Sequence, residues 1–192
     1  MHKKIPKSFI FTDYYNSQIF RSNNKKLGIV YRNYNDKNSE NELKKIAKAC
    51  KKNGNQFYIS NNLKLVIKFN ADGLYIPSFN RTGKYYNLEK KNIKVIGSAH
   101  NQKEIKEKVL QNCGAIFLSP IFYMDKNKNF LGLYKFNYIS LDNKTPLYAL
   151  GGISEKNIGK LKLLKAKGFG AISLFKKKPA LFRPVLIKNN FF

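Results

Sequence analysis

Eight short apolar runs, most followed by a longer polar stretch with helical spacing, constrain this chain more than any other feature of it. In order they are Ser8–Asp13 (SFIFTD), Leu27–Tyr34 (LGIVYRNY), Gln56–Ser60 (QFYIS), Leu74–Pro77 (LYIP), Lys94–Ser98 (KVIGS), Ala115–Ser119 (AIFLS), Pro146–Leu150 (PLYAL) and Gly170–Leu174 (GAISL). Continuous apolar runs suit strands buried on both faces, as in a parallel sheet. Helices are expected at Asn38–Asn53, Leu63–Phe69, Asn101–Asn112, Leu131–Ile139 and Ser154–Lys167. In the first of them Ser39 and Glu42 have capping-box spacing, Leu43, Ile46, Ala47 and Cys50 share a face, and Gly54 follows the end. In the helix over Asn101–Asn112 the inward positions are Ile105, Val109 and Cys113. The helix over Ser154–Lys167 takes Ser154 as its N-cap and Gly168 as its stop. Strand–helix alternation repeated eight times predicts an α/β fold, a single compact (β/α)8 TIM barrel. One domain is expected over residues 1–192, with a basic aromatic tail at about 176–192.

Composition narrows the class. Apolar residues make up 43%, with 15 Phe and 12 Tyr, which excludes a globally disordered chain. No apolar run approaches the roughly 18–20 residues of a spanning helix, so no membrane role is expected. The N-terminal apolar piece is short and runs into Asp13 without a cleavage motif, so no signal peptide is expected. Cys50 and Cys113 have neither metal spacing nor a disulfide framework and read as reduced core residues, which places the protein in the cytoplasm. The net charge of +26 points to anionic partners. Nucleic acid is disfavoured among them: 33 of the 37 cations are Lys, Asn numbers 24, and the lysines are spread along the chain, a profile that an AT-rich genome produces without selection for function. Small phosphorylated molecules are the expected partners. Oligomeric state leaves no mark on the sequence.

In a barrel, chemistry sits at the C-terminal ends of the strands. Those ends carry Asp13, Arg32, Ser60-Asn61, Pro77-Ser78, Ser98 to His100, Ser119-Pro120, Gly151-Gly152 and Ile172-Ser173. They hold no carboxylate pair, Cys–His dyad or His cluster, so glycosidase and zinc-hydrolase chemistry have little support. Arg32 can clamp a phosphate or pair with an acid such as Asp36. Gly151-Gly152, just before a helix start, can present backbone N–H groups to an anion or form a plain tight turn. His100 is a candidate acid or base, or a residue bonding a carbonyl. Tyr31, Tyr34 and Tyr75 can stack on a heterocycle or fill the core.

These pieces, FIFTD, VYRNY, ISNN, ADGLYIP, GSAHN, GAIFLSPIF, LYALGGI and GFGAIS, resemble in order those of the thiamine phosphate synthase family, which includes the related thiazole tautomerases. The resemblance runs from about Phe9 to Phe175 and implies a compact (β/α)8 barrel. It implies an enzyme that joins hydroxymethylpyrimidine pyrophosphate to a thiazole phosphate with Mg2+ and releases pyrophosphate. Arg32 and Ser98 are then the catalytic candidates. Arg32 meets the pyrophosphate, Ser98 lines the pyrimidine–pyrophosphate pocket, and Gly151, Gly152, Ile172 and Ser173 hold the thiazole phosphate. Tyr34, His100 and Lys126 complete the expected substrate-binding set. Asn157 matches the family's Asn downstream of its diglycine. The family's two magnesium-binding Asp positions fall on Asn61 and Asn80, which offer carbonyl oxygen but no charge, so weak metal binding is expected. Of the Gln-x-Arg-x-Lys strand only Arg32 is kept, beside Val30 and Tyr34. The Thr-x-Thr-Lys loop becomes Met124, Lys126 and Asn127, where Lys126 or Lys128 can supply the missing cation. The alternatives are a tautomerase-like enzyme or non-catalytic thiazole phosphate binder, and a basic nucleic-acid-binding protein.

Overall fold

A computed structural model describes residues 4–21, 26–33, 39–81, 83, 85, 87–125 and 129–172. Among them eight parallel strands close into a barrel in sequence order: β1 Ser8–Thr12, β2 Gly28–Tyr31, β3 Gln56–Ser60, β4 Gly73–Ile76, β5 Lys94–Ala99, β6 Ala115–Leu118, β7 Leu147–Leu150 and β8 Gly168–Ala171. The helices between them are α1 Ser17–Arg21, α2 Ser39–Asn53, α3 Leu63–Lys68, α4 Gln102–Leu110 and α5 Gly132–Leu141, with 3-10 turns at Glu89–Lys91 and Ile158–Leu163. Phe9 closes the ring, standing opposite Gly28 on one side and Gly170 on the other.

Alternate residues of each strand point inward. They build a buried cluster of Phe9, Phe11, Val30, Tyr58, Tyr75, Ile96, Ala115, Phe117, Tyr148 and Leu150, separate from the larger core between strands and helices. Phe117 is the hub of this interior. Its ring lies edge-on to Phe9 at 5.0 Å and to Phe11 at 5.3 Å, and 5.2 Å from Tyr148. Glycines make room for rings this large: a Cβ on Gly28 would come within 2.2 Å of the Phe9 ring, and one on Gly73 within 2.6 Å of Tyr58. The Tyr148 hydroxyl stays neutral, since burial pushes its pKa up to about 12. At the N-terminal end Ile5 packs against the interior, and Gln56 accepts from the Tyr58 hydroxyl at 2.8 Å while donating to the Lys4 carbonyl at 2.7 Å. That end is plugged, so the opposite rim is where a ligand can be held.

Several local expectations are corrected. The helix over Ser154–Lys167 is only a 3-10 turn, because Ile158, Leu161 and Leu164 are the buried positions and their spacing of three matches three residues per turn. Ser154 is not its cap; Asn157 precedes the turn. Gly168 does not stop a helix but opens β8, earlier than expected, where an added Cβ would come within 2.1 Å of the Lys7 carbonyl. The Glu42 carboxylate does not reach back within α2; it accepts from the Tyr15 backbone N–H and the Lys45 ammonium. On α4 the inward set is Ile105 and Lys108, while Val109 is exposed. Gly97 explains this reversal: its missing side chain leaves a slot for the Lys108 stem, whose Cδ would lie 2.9 Å from a Cβ there. Helix α1 has no counterpart in the sequence reading, whereas α5 falls on the expected segment. Cys50 and Cys113 are buried free thiols, and burial pushes Cys113 up to about 12, so it is unreactive. Among the described residues no helix is long and apolar enough to cross a membrane. The tail at 176–192 lies outside them.

Candidate functional site

Strand parity carries four of the sequence candidates to one place. Arg32 lies two residues beyond Val30, Ser98 two beyond Ile96, Gly152 two beyond Leu150, and Ile172 two beyond Gly170. Each therefore continues an inward-facing row at the C-terminal end of its strand. Contacts agree with the parity. The Arg32 guanidinium carbon stands 6.0 Å from the centroid of the interior Phe11 ring, and the Arg32 N–H bonds the Thr12 carbonyl at 2.8 Å, prolonging the β1–β2 pairing. Ile172 packs on the interior cluster. Ser98 is buried and takes a hydrogen bond of 2.8 Å from the Tyr75 hydroxyl. Tyr75 in turn meets the Phe11 ring at 5.3 Å. One aromatic floor thus supports both the cation and the serine.

Gly151 and Gly152 have φ of 87° and 71°, a region that other residues rarely adopt. They also lie against the β6 loop: a Cβ on Gly151 would come within 2.9 Å of Pro120, and one on Gly152 within 2.4 Å of the Phe122 carbonyl. The Gly151 carbonyl accepts from the Phe122 N–H at 3.2 Å, and the Gly152 carbonyl accepts from the Asn157 amide at 2.7 Å. Asn157 also accepts from the Ser154 N–H at 2.8 Å. In a trans peptide the N–H points opposite to the C=O. Anchoring both carbonyls therefore turns the N–H groups of Gly152 and Ile153 away from these partners, the arrangement an anion-binding turn requires.

The β4–β6 side of the rim is knitted by His100. Its Nδ1 lies 2.8 Å from the Ser119 carbonyl and its Nε2 3.1 Å from the Ser78 hydroxyl. A carbonyl only accepts, so Nδ1 carries a proton and donates to Ser119. The backbone N–H of His100 bonds Glu104, whose own N–H is capped by Asn101. The bonding reading of His100 is the one these contacts fit.

Asn61 and Asn80 meet across the β3 and β4 loops, with the Asn80 amide donating to Asn61 Oδ1 at 2.6 Å. Beneath them, the Lys108 ammonium and the Gln111 amide both donate to the Asn80 carbonyl, at 2.5 and 3.0 Å. Burial lowers the Lys108 pKa. An Arg81–Glu107 pair at 3.6 Å ties the same loop to α4. Among the described residues no group of three or more His, Cys, Asp and Glu can hold a metal ion. A divalent cation does not fit the Asn pair, because one amide fills the space and takes up the facing oxygen.

The structure thus gathers Arg32, Ser98, Gly151, Gly152 and Ile172 at the C-terminal rim, with Asn61, Asn80 and His100 on the loops that follow β3, β4 and β5. Tyr34, Lys126, Lys128 and Ser173 lie outside the described residues. The Tyr75 hydroxyl on Ser98 and the Lys108 anchor were missed. Tyr75 was legible as an inward strand position, but Lys108 left no signal, since a lysine on a helix reads as exposed.

A family model described as thiamine monophosphate synthase matches residues 22–175. A thiamine-phosphate synthase of Prochlorococcus marinus subsp. pastoris is 33% identical over 131 residues, covering 67% of this chain and 37% of the relative. Another from Prochlorococcus marinus is 30% identical over 135 residues, covering 69% of this chain and 39% of the relative. The chain therefore spans about two fifths of the length of these curated relatives. A solved thiamine phosphate pyrophosphorylase from Pyrococcus furiosus superposes with a TM-score of 0.76 at 15% identity, over 95% of this chain and 96% of that one, a likeness of fold.

Proposed function

The chain belongs to the thiamine monophosphate synthase family, and from that premise we propose that it condenses hydroxymethylpyrimidine pyrophosphate with a thiazole phosphate to give thiamine phosphate and pyrophosphate. The observation that carries the reading is the convergence of Arg32, Ser98, Gly152 and Ile172 on one rim above a plugged aromatic interior.

The chemistry asks little of acids and bases. The C–O bond to pyrophosphate breaks and its electron pair leaves with the oxygen. The pyrimidine ring spreads the positive charge left on the methylene carbon, and the thiazole nitrogen lone pair forms the new C–N bond. No proton changes hands. What the protein supplies is orientation of two anions and neutralisation of a departing one. Arg32 meets the pyrophosphate, and Phe11 beneath it limits where the guanidinium can swing. Ser98, accepting from Tyr75, keeps its own proton to donate to the pyrimidine substrate. The Gly152 and Ile153 N–H groups, with Ile172 and Ser173, hold the thiazole phosphate. His100 fixes the rim from which Ser98 projects. Family matches favour this reading over a tautomerase-like enzyme, a thiazole phosphate binder or a nucleic-acid-binding protein.

The test supplies purified protein with both precursors and follows thiamine phosphate and pyrophosphate. Arg32→Ala is expected to lower turnover by about 10²–10³-fold, the scale of losing one stabiliser of developing negative charge, while leaving the thermal midpoint nearly unchanged. Folded wild-type protein that makes no thiamine phosphate, with or without Mg2+, would falsify the reading.

A further inference from the structure

We propose that the Asn61–Asn80 pair is a neutral clasp standing in place of a divalent-cation site, and that this chain binds its pyrophosphate-bearing substrate without a metal there. The inference rests on the condensation reading above and concerns how the anion's charge is met.

The orientation of the two amides is set by their partners. Asn80 donates to Asn61 Oδ1 at 2.6 Å and to the Tyr85 hydroxyl at 3.3 Å, and its own oxygen accepts from the Gly83 N–H at 3.2 Å. Turning Asn80 over would set oxygen against oxygen at Asn61 and donor against donor at Gly83. Turning Asn61 over would set two NH2 groups against each other. Both side-chain oxygens are therefore engaged by N–H donors. A magnesium ion takes oxygens at about 2.0–2.1 Å in an octahedron and is reluctant to give up its water, whereas here an NH2 group occupies the space between the two oxygens.

The neighbouring charge has the wrong sign as well. The Lys108 ammonium is fixed to the backbone carbonyl of Asn80 itself at 2.5 Å, and Gln111 holds that ammonium at 2.8 Å. A divalent cation seated on Asn80 would face this like charge at close range. The Asn80 carbonyl, the remaining oxygen of that residue, is taken by Lys108 and Gln111 together. Fixed cations such as Arg32, in the field of a chain with net charge +26, meet the anion instead.

Calorimetric titration of inorganic pyrophosphate into the full chain, once in EDTA and once in magnesium buffer, tests this. Affinities agreeing within about twofold support it. The paired variant N61D/N80D is expected to gain at least about tenfold in magnesium, and to show a thermal midpoint raised by Mg2+ alone, which the wild type does not. Wild-type binding strengthened more than about tenfold by magnesium overturns the inference and leaves the condensation reading standing. Binding in neither buffer overturns both. A folded N61D/N80D that stays indifferent to magnesium shows that the clasp is not what excludes the ion, and overturns it too.

Discussion

The β7–β8 corner of the rim and the β3–β4 corner are built on opposite principles. At β7–β8 the side chains are absent: two glycines with positive φ bring the backbone close to the β6 loop, and Asn157 pins a carbonyl so that peptide N–H groups turn outward. At β3–β4 the side chains are present and consumed, two amides bonded to each other over a buried ammonium. A backbone turn keeps its dipoles whichever residues surround it. A site built on charge is lost when one atom in each carboxylate is exchanged for nitrogen. The comparison teaches that one corner of a rim can be shaped by backbone geometry and another by side-chain amides.

Three substitutions break or sharpen this contrast. The largest effect belongs to the floor both corners share. Phe117→Ala should cost about 3–5 kcal/mol of stability, read by denaturant unfolding, and weaken both substrates together; a loss under about 1 kcal/mol would mean the interior is not the common support. Gly152→Ala comes next. The strained φ and the close Phe122 carbonyl should remove roughly 1–3 kcal/mol of stability, and thiazole phosphate binding should fall about tenfold or more. Pyrophosphate binding, measured on the same sample, should hold. Equal loss of both ligands would erase the division into two corners. Smallest is Tyr75→Phe, which deletes one neutral hydrogen bond to Ser98 worth about 1 kcal/mol. It should slow turnover by about fivefold with little change in thiazole phosphate affinity, and a shift confined to that affinity would place Ser98 in the other corner.

Much of this was legible beforehand because it is local. A strand buried on both faces shows as an apolar run, and the residue just past it lies at the rim, so Arg32, Ser98, Gly151, Gly152 and Ile172 could be named from position. Where the reading failed, a neighbour intervened. Val109 looked inward by helical spacing, yet Lys108 is the buried one, because Gly97 on β5 leaves a slot for a long stem. Ser154–Lys167 looked like a helix by composition, yet its buried residues repeat every third position.

The sequence alone determined the barrel and the order of its strands, since burial pattern and turn chemistry are written within a few residues of each other, while β2 stops at Tyr31 and β8 runs Gly168–Ala171, both ending earlier than their apolar runs suggest. Only the tertiary structure decided which groups meet across the rim. Asn61 and Asn80 are 19 residues apart, Tyr75 and Ser98 are 23, and Lys108 lies 28 beyond Asn80. In a parallel barrel each strand returns beside its neighbour only after a full crossover, so a polar partner one strand away is distant in the chain. Which of several amides, hydroxyls and ammonium groups finds which is settled by the closing of the ring.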